Sequence, residues 1–226
     1  MKKKIFVVGT CDTKQRELEF VRSLIIATGA QAMLVDVGTR GAGGNVDISA
    51  EEVANHHPGG RRAVLGLDDR GVAVTAMSEA LIAFLRTRDD IGGMIGLGGS
   101  GNTALVTAGM RSLPVGLPKI MVSTIASGNV APYVGPTDIC MMYSITDIAG
   151  INKINAVVLG NAAHAIAGMV SRQPPECEGS KPQIGLTQFG VTTTCVDLVR
   201  ARIDEGQDCM VFHATGIGGQ SMEKLV

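Results

Sequence analysis

The chain contains no tryptophan, and aromatic residues make up only 3% of its 226 positions. Small and branched aliphatic side chains must therefore fill any core, as they do in strands buried between two layers of helix. Neither sign of charge is in excess. The net charge is −1, so nothing electrostatic points to nucleic acid as a partner. No apolar run reaches membrane-spanning length, and Lys2 to Lys4 lead straight into an apolar stretch without the long hydrophobic segment and cleavage site of a signal peptide. A membrane partner is not expected. Cys11, Cys140, Cys177, Cys195 and Cys209 form no CxxC pair. This excludes a structural zinc site and a disulfide framework, and fits a reduced, cytoplasmic protein. No carboxylate cluster suggests a metal centre, and the adjacent His56 and His57 read as surface residues of a loop.

What the chain has in quantity is apolar residues, at 45%, and glycine, at 30 positions. The glycines concentrate where short apolar runs end. The most conspicuous run is Met94-Ile95-Gly96-Leu97-Gly98-Gly99-Ser100-Gly101-Asn102-Thr103. An apolar strand enters it and a helix-competent segment leaves it. Such a loop brings backbone N–H groups close to a phosphate, and the helix start adds about half a positive charge at the same point. Two phosphate-binding templates fit in part. Gly96-x-Gly98-x-x-Gly101 matches the dinucleotide fingerprint, but no Asp or Glu occurs between Asp90 and Asp138 to take a ribose hydroxyl. Gly96-xxxx-Gly101-Asn102-Thr103 matches a P-loop with Asn102 in place of the lysine. A cation must then come from elsewhere, or the loop is only a tight turn.

Read in order, the pattern is α/β: a Rossmann-like parallel sheet with helices on both faces. Ile5 to Gly9 reads as a buried strand. A helix follows to about Ala27, with Asp12 and Gln15 as a capping box, and Ala32 to Val37 is a second strand. The corner between them holds Thr10, Asp12 and Lys14 at a strand's C-terminal end, where open α/β sheets bind ligands. Lys14 is the candidate for the missing cation, or else a solvated first-turn lysine. A helix start is also a place where the Cys11 thiol could have a lowered pKa. Asp36, Gly38 and Arg40 follow the second strand: Asp36 suits a ribose hydroxyl or a turn cap, Arg40 a phosphate. Ser123, Thr124, Ser127 and Gly128 form a third polar loop at a strand end, suited to phosphate or to turn capping. Asp147 could ligate magnesium or cap a helix.

Residues 1–172 read as one nucleotide-binding subdomain, 173–182 as a Pro- and Glu-containing linker, and 183–226 as the beginning of a second Rossmann-like subdomain that stops short. Its strand from Cys209 to His213 runs into another glycine loop with Gly216, Gly218 and Gly219. His213 is the best candidate for a general base. An unfinished second domain invites association, so a homo-oligomer is expected.

Five spaced motifs carry a resemblance: GTCDTK at 9–14, DVGTRG at 36–41, GLGGSGNTAL at 96–105, STIASGN at 123–129 and FHATGIGGQSME at 212–223. Their order and spacing resemble the ATP-binding domain family of the tomato mosaic virus resistance protein and its bacterial and fungal relatives. The resemblance implies ATP as ligand, possibly with magnesium. It places the phosphates against Thr10, Asp12, Lys14 and Gly98 to Gly101 (Ser100 included), with Thr103 behind them. Ser123, Thr124, Ser127 and Gly128 would line the other side, and Gly216, Gly218 and Gly219 the same cleft. It assigns no reaction. An enzyme on a small phosphorylated or carboxylated substrate, and an interaction module stabilised by nucleotide, stay open beside a nucleotide-binding protein.

Overall fold

Alternation along the first strand decides the layering. Ile5 and Val7 face one helical layer, Phe6 and Val8 the other, and all four are fully buried. A strand buried on both faces must be covered on both, which is the condition for a parallel sheet crossed over by helices. The computed structural model describes residues 3–40, 44–172, 181–203 and 206–225; the expected linker falls largely outside them. The chain divides into two units, 1–134 with 138–173, and 135–137 with 174–226.

The first unit contains β1 (Lys4–Gly9), α1 (Cys11–Ala27), β2 (Ala32–Asp36), α2 (Ala50–Ala54), α3 (Arg70–Arg86), β3 (Ile91–Gly98), α4 (Ser100–Arg111), β4 (Lys119–Ser123), α5 (Ala131–Val134), β5 (Cys140–Tyr143) and α6 (Lys153–Ser171). Its five strands are all parallel in the order β2-β1-β3-β4-β5. The chain leaves β1 toward β2 and then returns to the other side of β1 with β3. The ends of β1 and β3 therefore diverge into opposite layers, and ligands in such sheets bind at that switch point.

Leu18, Val21 and Ile25 of α1, with Leu159, Ala163 and Ile166 of α6, fill one face. Met77, Leu81 and Leu85 of α3, with Leu105, Val106 and Met110 of α4, fill the other. α6 is long and apolar enough to cross a membrane by length and composition, contrary to the expectation that no apolar run reaches that length. Here Leu159, Ala162, Ala163 and Ile166 are fully buried in the core. Its start is built by Asn152, whose side chain accepts from the Ile154 and Asn155 amides while the Asn155 side chain accepts from the Asn152 amide. The short α2 is capped by Ser49, whose Oγ accepts from the Glu52 amide at 3.2 Å, as the spacing predicts.

The start of α1 differs from the expectation. Helix is assigned from Cys11, with Lys14 out of helical geometry at φ −131°, ψ 19°. No capping box forms. The N-cap is Thr10, without a side-chain cap bond, and Gln15 instead reaches across to the Gly44 amide at 2.9 Å.

The second unit pairs β6 (Gln183–Gln188) in parallel with β7 (Asp208–His213) and adds α7 (Thr193–Arg200) and α8 (Gly218–Leu225). α8 begins at Gly218, within the glycine loop that follows β7. A side chain at Gly218 would place its Cβ 1.6 Å from the His213 carbonyl oxygen, so the turn closes only over glycine.

Candidate functional site

A cleft of about 320 Å³ opens at the C-terminal edge of the first unit's sheet, over the ends of β1 and β3. Thr10, Asp12, Thr13 and Lys14 line it from the first turn of α1, and Gly99, Ser100, Gly101 and Asn102 from the first turn of α4. Thr39 and Arg40 enter from the loop after β2, Arg70 from the start of α3, and Asp147 from the loop after β5. Lys14 and the glycine loop thus share one cavity. The first amides of a helix have no partner within it. Gly99, the N-cap of α4, has no side chain to cap that helix, whereas at the start of α1 the N-cap Thr10 makes no side-chain cap bond and the Cys11 amide is taken by Asp36.

The glycine loop is shaped by its neighbours. Gly98 has φ 153°, and a Cβ there would meet Asn102 Cβ and Nδ2, each at 2.8 Å. Asn102, at the position of the P-loop lysine, does not point outward as that lysine would. Its Nδ2 donates back to the Leu97 carbonyl. Its Oδ1 is buried with no hydrogen-bond partner, a rare condition for a polar atom.

The cleft is more positive than its composition suggests. Three cationic side chains, Lys14, Arg40 and Arg70, face two carboxylates, Asp12 and Asp147. The Lys14 ammonium donates to the Ile148 carbonyl, and Asp147 Oδ1 accepts from the Ile148 amide at 2.8 Å. Arg70 was not legible in the sequence, because Asp69-Arg70-Gly71 reads only as a solvated helix start. The close packing of α3 on α4 delivers it. A Cβ at Gly109 would sit 2.7 Å from Leu81, and Arg70 Nη2 lies 3.6 Å from where a Cβ on Gly101 would be.

Other expected site residues do not line the cleft. Asp36 is fully buried, and its Oδ1 accepts from the Cys11 amide at 2.9 Å and the Gly38 amide at 2.8 Å. It pins the loop after β2, Gly38 included, to the start of α1. Thr103 and Ser123 are likewise buried, joined at 2.7 Å through their hydroxyls, with Thr103 also donating to the Gly99 carbonyl at 2.8 Å. They tie the glycine loop to the end of β4. Thr124 Oγ1 lies 3.8 Å from the position of a Cβ on Gly99. Ser127 and Gly128 are exposed in the turn beyond it. Gly216, Gly218 and Gly219 belong to the second unit, as does His213, which is exposed with its ring 6.4 Å from that of Phe189. The expectation of a lowered Cys11 pKa is overturned. Burial pushes the thiol well above its ordinary value and the Asp36 carboxylate adds to the effect, so Cys11 is an inert core residue.

Comparison with known proteins matches residues 3–175 to the N-terminal domain of an uncharacterised protein family, UPF0261, and residues 181–226 to that family's C-terminal domain. A UPF0261 protein of Mesorhizobium japonicum is 60% identical over 223 residues, 99% of this chain and 56% of its own length. One from Clostridium tetani is 44% identical over 231 residues, covering all of this chain and 57% of the relative. The tomato ToMV resistance protein Tm-1 is 40% identical over 248 residues, 99% of this chain and 33% of its own length. The chain thus spans about half the length of the bacterial relatives it matches, and a third of the tomato protein. With both domain types in order and identity extending along the whole sequence, this chain belongs to the UPF0261 family.

Proposed function

We propose that the first unit binds the phosphate groups of a nucleotide, ATP with magnesium being the ligand that the sequence motifs favour. One observation carries the reading: three cationic side chains and the start of α4, whose N-cap Gly99 has no side chain to cap it, converge on a single cleft at the switch point of the sheet. Each element alone is common. Together they form an anion cradle in which backbone amides supply directed hydrogen bonds and Lys14, Arg40 and Arg70 supply charge. The described residues contain no group of three or more metal-binding side chains. A magnesium ion would therefore arrive on the phosphates, with Asp12 and Asp147 within the same cleft, which suits a cation that retains most of its water.

Calorimetry with ATP and with inorganic triphosphate, with and without magnesium, tests this. Arg70 is exposed, so Arg70→Gln is expected to leave stability within about 0.5 kcal/mol while weakening ATP binding about tenfold, the scale of one charge-assisted hydrogen bond. Unchanged affinity removes Arg70 from the site. Orthophosphate release measured on the same samples separates an enzyme from a protein that only holds the nucleotide.

A further inference from the structure

Glu17 is a buried carboxylate, 4% exposed, that does not line the cleft. A buried charge requires compensation, and Glu17 Oε1 accepts from the Gly150 amide at 2.6 Å. One turn earlier on α1, Lys14 donates to the Ile148 carbonyl. From the other side, Asn155 Nδ2 of α6 donates to the Gly150 carbonyl at 2.7 Å. The segment between β5 and α6 is thus held down at two neighbouring points, and Asp147, next to them, lines the cleft.

The segment's own geometry explains the need for anchors. Ile145 has φ 65°, the sole described residue other than glycine with positive φ. The Thr146 amide donates to the Ser144 carbonyl at 2.7 Å, which closes a γ-turn of the rare positive-φ form on a β-branched residue. Such backbone persists only where its surroundings over-determine it.

Resting on the phosphate reading above, we infer that Glu17 is a positioning residue for the cleft. It holds residues 144–152 as a strap whose order is coupled to phosphate binding. The coupling passes through Lys14. An ammonium has three donors, so Lys14 can keep the Ile148 carbonyl and still meet a phosphate oxygen. A bound phosphate then fixes Lys14, Lys14 fixes the strap, and the strap fixes Asp147 against the ligand. By reciprocity, the factor by which a bound ligand favours the ordered strap is the factor by which the ordered strap binds the ligand more tightly than the loosened one.

The test is hydrogen exchange of residues 144–152 together with calorimetry, using ATP with magnesium as the probe. In the wild-type chain, saturating ATP is expected to slow exchange of the strap amides. Glu17→Met removes the acceptor at similar size. It is expected to speed strap exchange without ligand and to weaken ATP roughly tenfold. Glu17→Gln, whose amide oxygen can still accept from Gly150, is expected to restore most of both. Wild-type binding of ATP with unchanged strap exchange overturns the inference even if Glu17→Met does not fold. Equal affinity in wild type and Glu17→Met overturns it as well. Failure of the wild type to bind either ATP or inorganic triphosphate removes the phosphate reading itself, and the inference with it.

Discussion

Gly99→Asp is expected to make the first unit more stable and the ligand weaker at once. Gly99 is the N-cap of α4, with extended backbone at φ −84°, ψ −168° and no side chain to cap the helix. That backbone is the ordinary conformation of a capping aspartate. A Cβ there meets nothing nearer than Thr124 Oγ1 at 3.8 Å, so the substitution introduces no clash. The new carboxylate would accept from the amides of Gly101 or Asn102 and sit at the positive end of the helix. Relative to glycine, the cap contributes a few tenths of a kcal/mol, and the charge at the helix start adds about 0.3–1 kcal/mol. The expected gain is about 0.5–1.5 kcal/mol, read as a higher urea midpoint at unchanged slope. The same carboxylate would occupy the amides that a phosphate needs and place a negative charge against it. Losing one or two charge-assisted bonds costs about 1.5–3 kcal/mol each, so ATP affinity should fall at least tenfold in calorimetry. Opposite signs in the two measurements would mark amides reserved for a ligand. A Gly99→Asp chain that binds ATP as the wild type does, or that is folded but less stable, would refute the reasoning.

Two further outcomes concern the sheet's frame, one at the cleft end of β3 and one at its opposite end. Gly98→Ala, one residue away, should behave differently, because φ 153° and a Cβ 2.8 Å from Asn102 Cβ leave no room. A loss of about 2–4 kcal/mol by urea unfolding is expected from strain and overpacking combined. Asp90, 3% exposed, receives Arg88 Nε at 2.9 Å and Nη2 at 2.7 Å, with Lys4 at 3.4 Å. Burial pushes its carboxyl up, but Arg88 and Lys4 outweigh it and hold the group below the ordinary range. A depressed folded-state pKa contributes stability that is fully present above about pH 4 and is lost as the pH falls through the folded value. Denaturation midpoints measured from pH 7 down to pH 2 should therefore fall less steeply below pH 4 for Asp90→Asn than for wild type. At neutral pH the variant should be weaker by about 2–3 kcal/mol.

The amino-acid order was sufficient for the architecture because the signals for it are local. Alternation from Ile5 to Val8 and the spacing of Leu18, Val21 and Ile25 report burial through periods of two and 3.6. Glycine-rich segments after β2 and β3, and the polar corner after β1, mark the strand ends where a parallel sheet gathers its loops. What the sequence could not decide was which polar side chains turn toward the cleft. Asp36, Thr103 and Ser123 carry the right chemistry for a ligand, yet each is claimed by a backbone amide or a hydroxyl on a neighbouring loop. Arg70 carries no local mark and reaches Gly101 only because α3 packs closely on α4. Asn102 reads as a lysine gone missing, but its side chain turns inward and donates to the Leu97 carbonyl. Local periodicity fixes which residues are buried. Strand order and helix packing fix which partners a polar group meets, and those contacts join residues far apart in the chain.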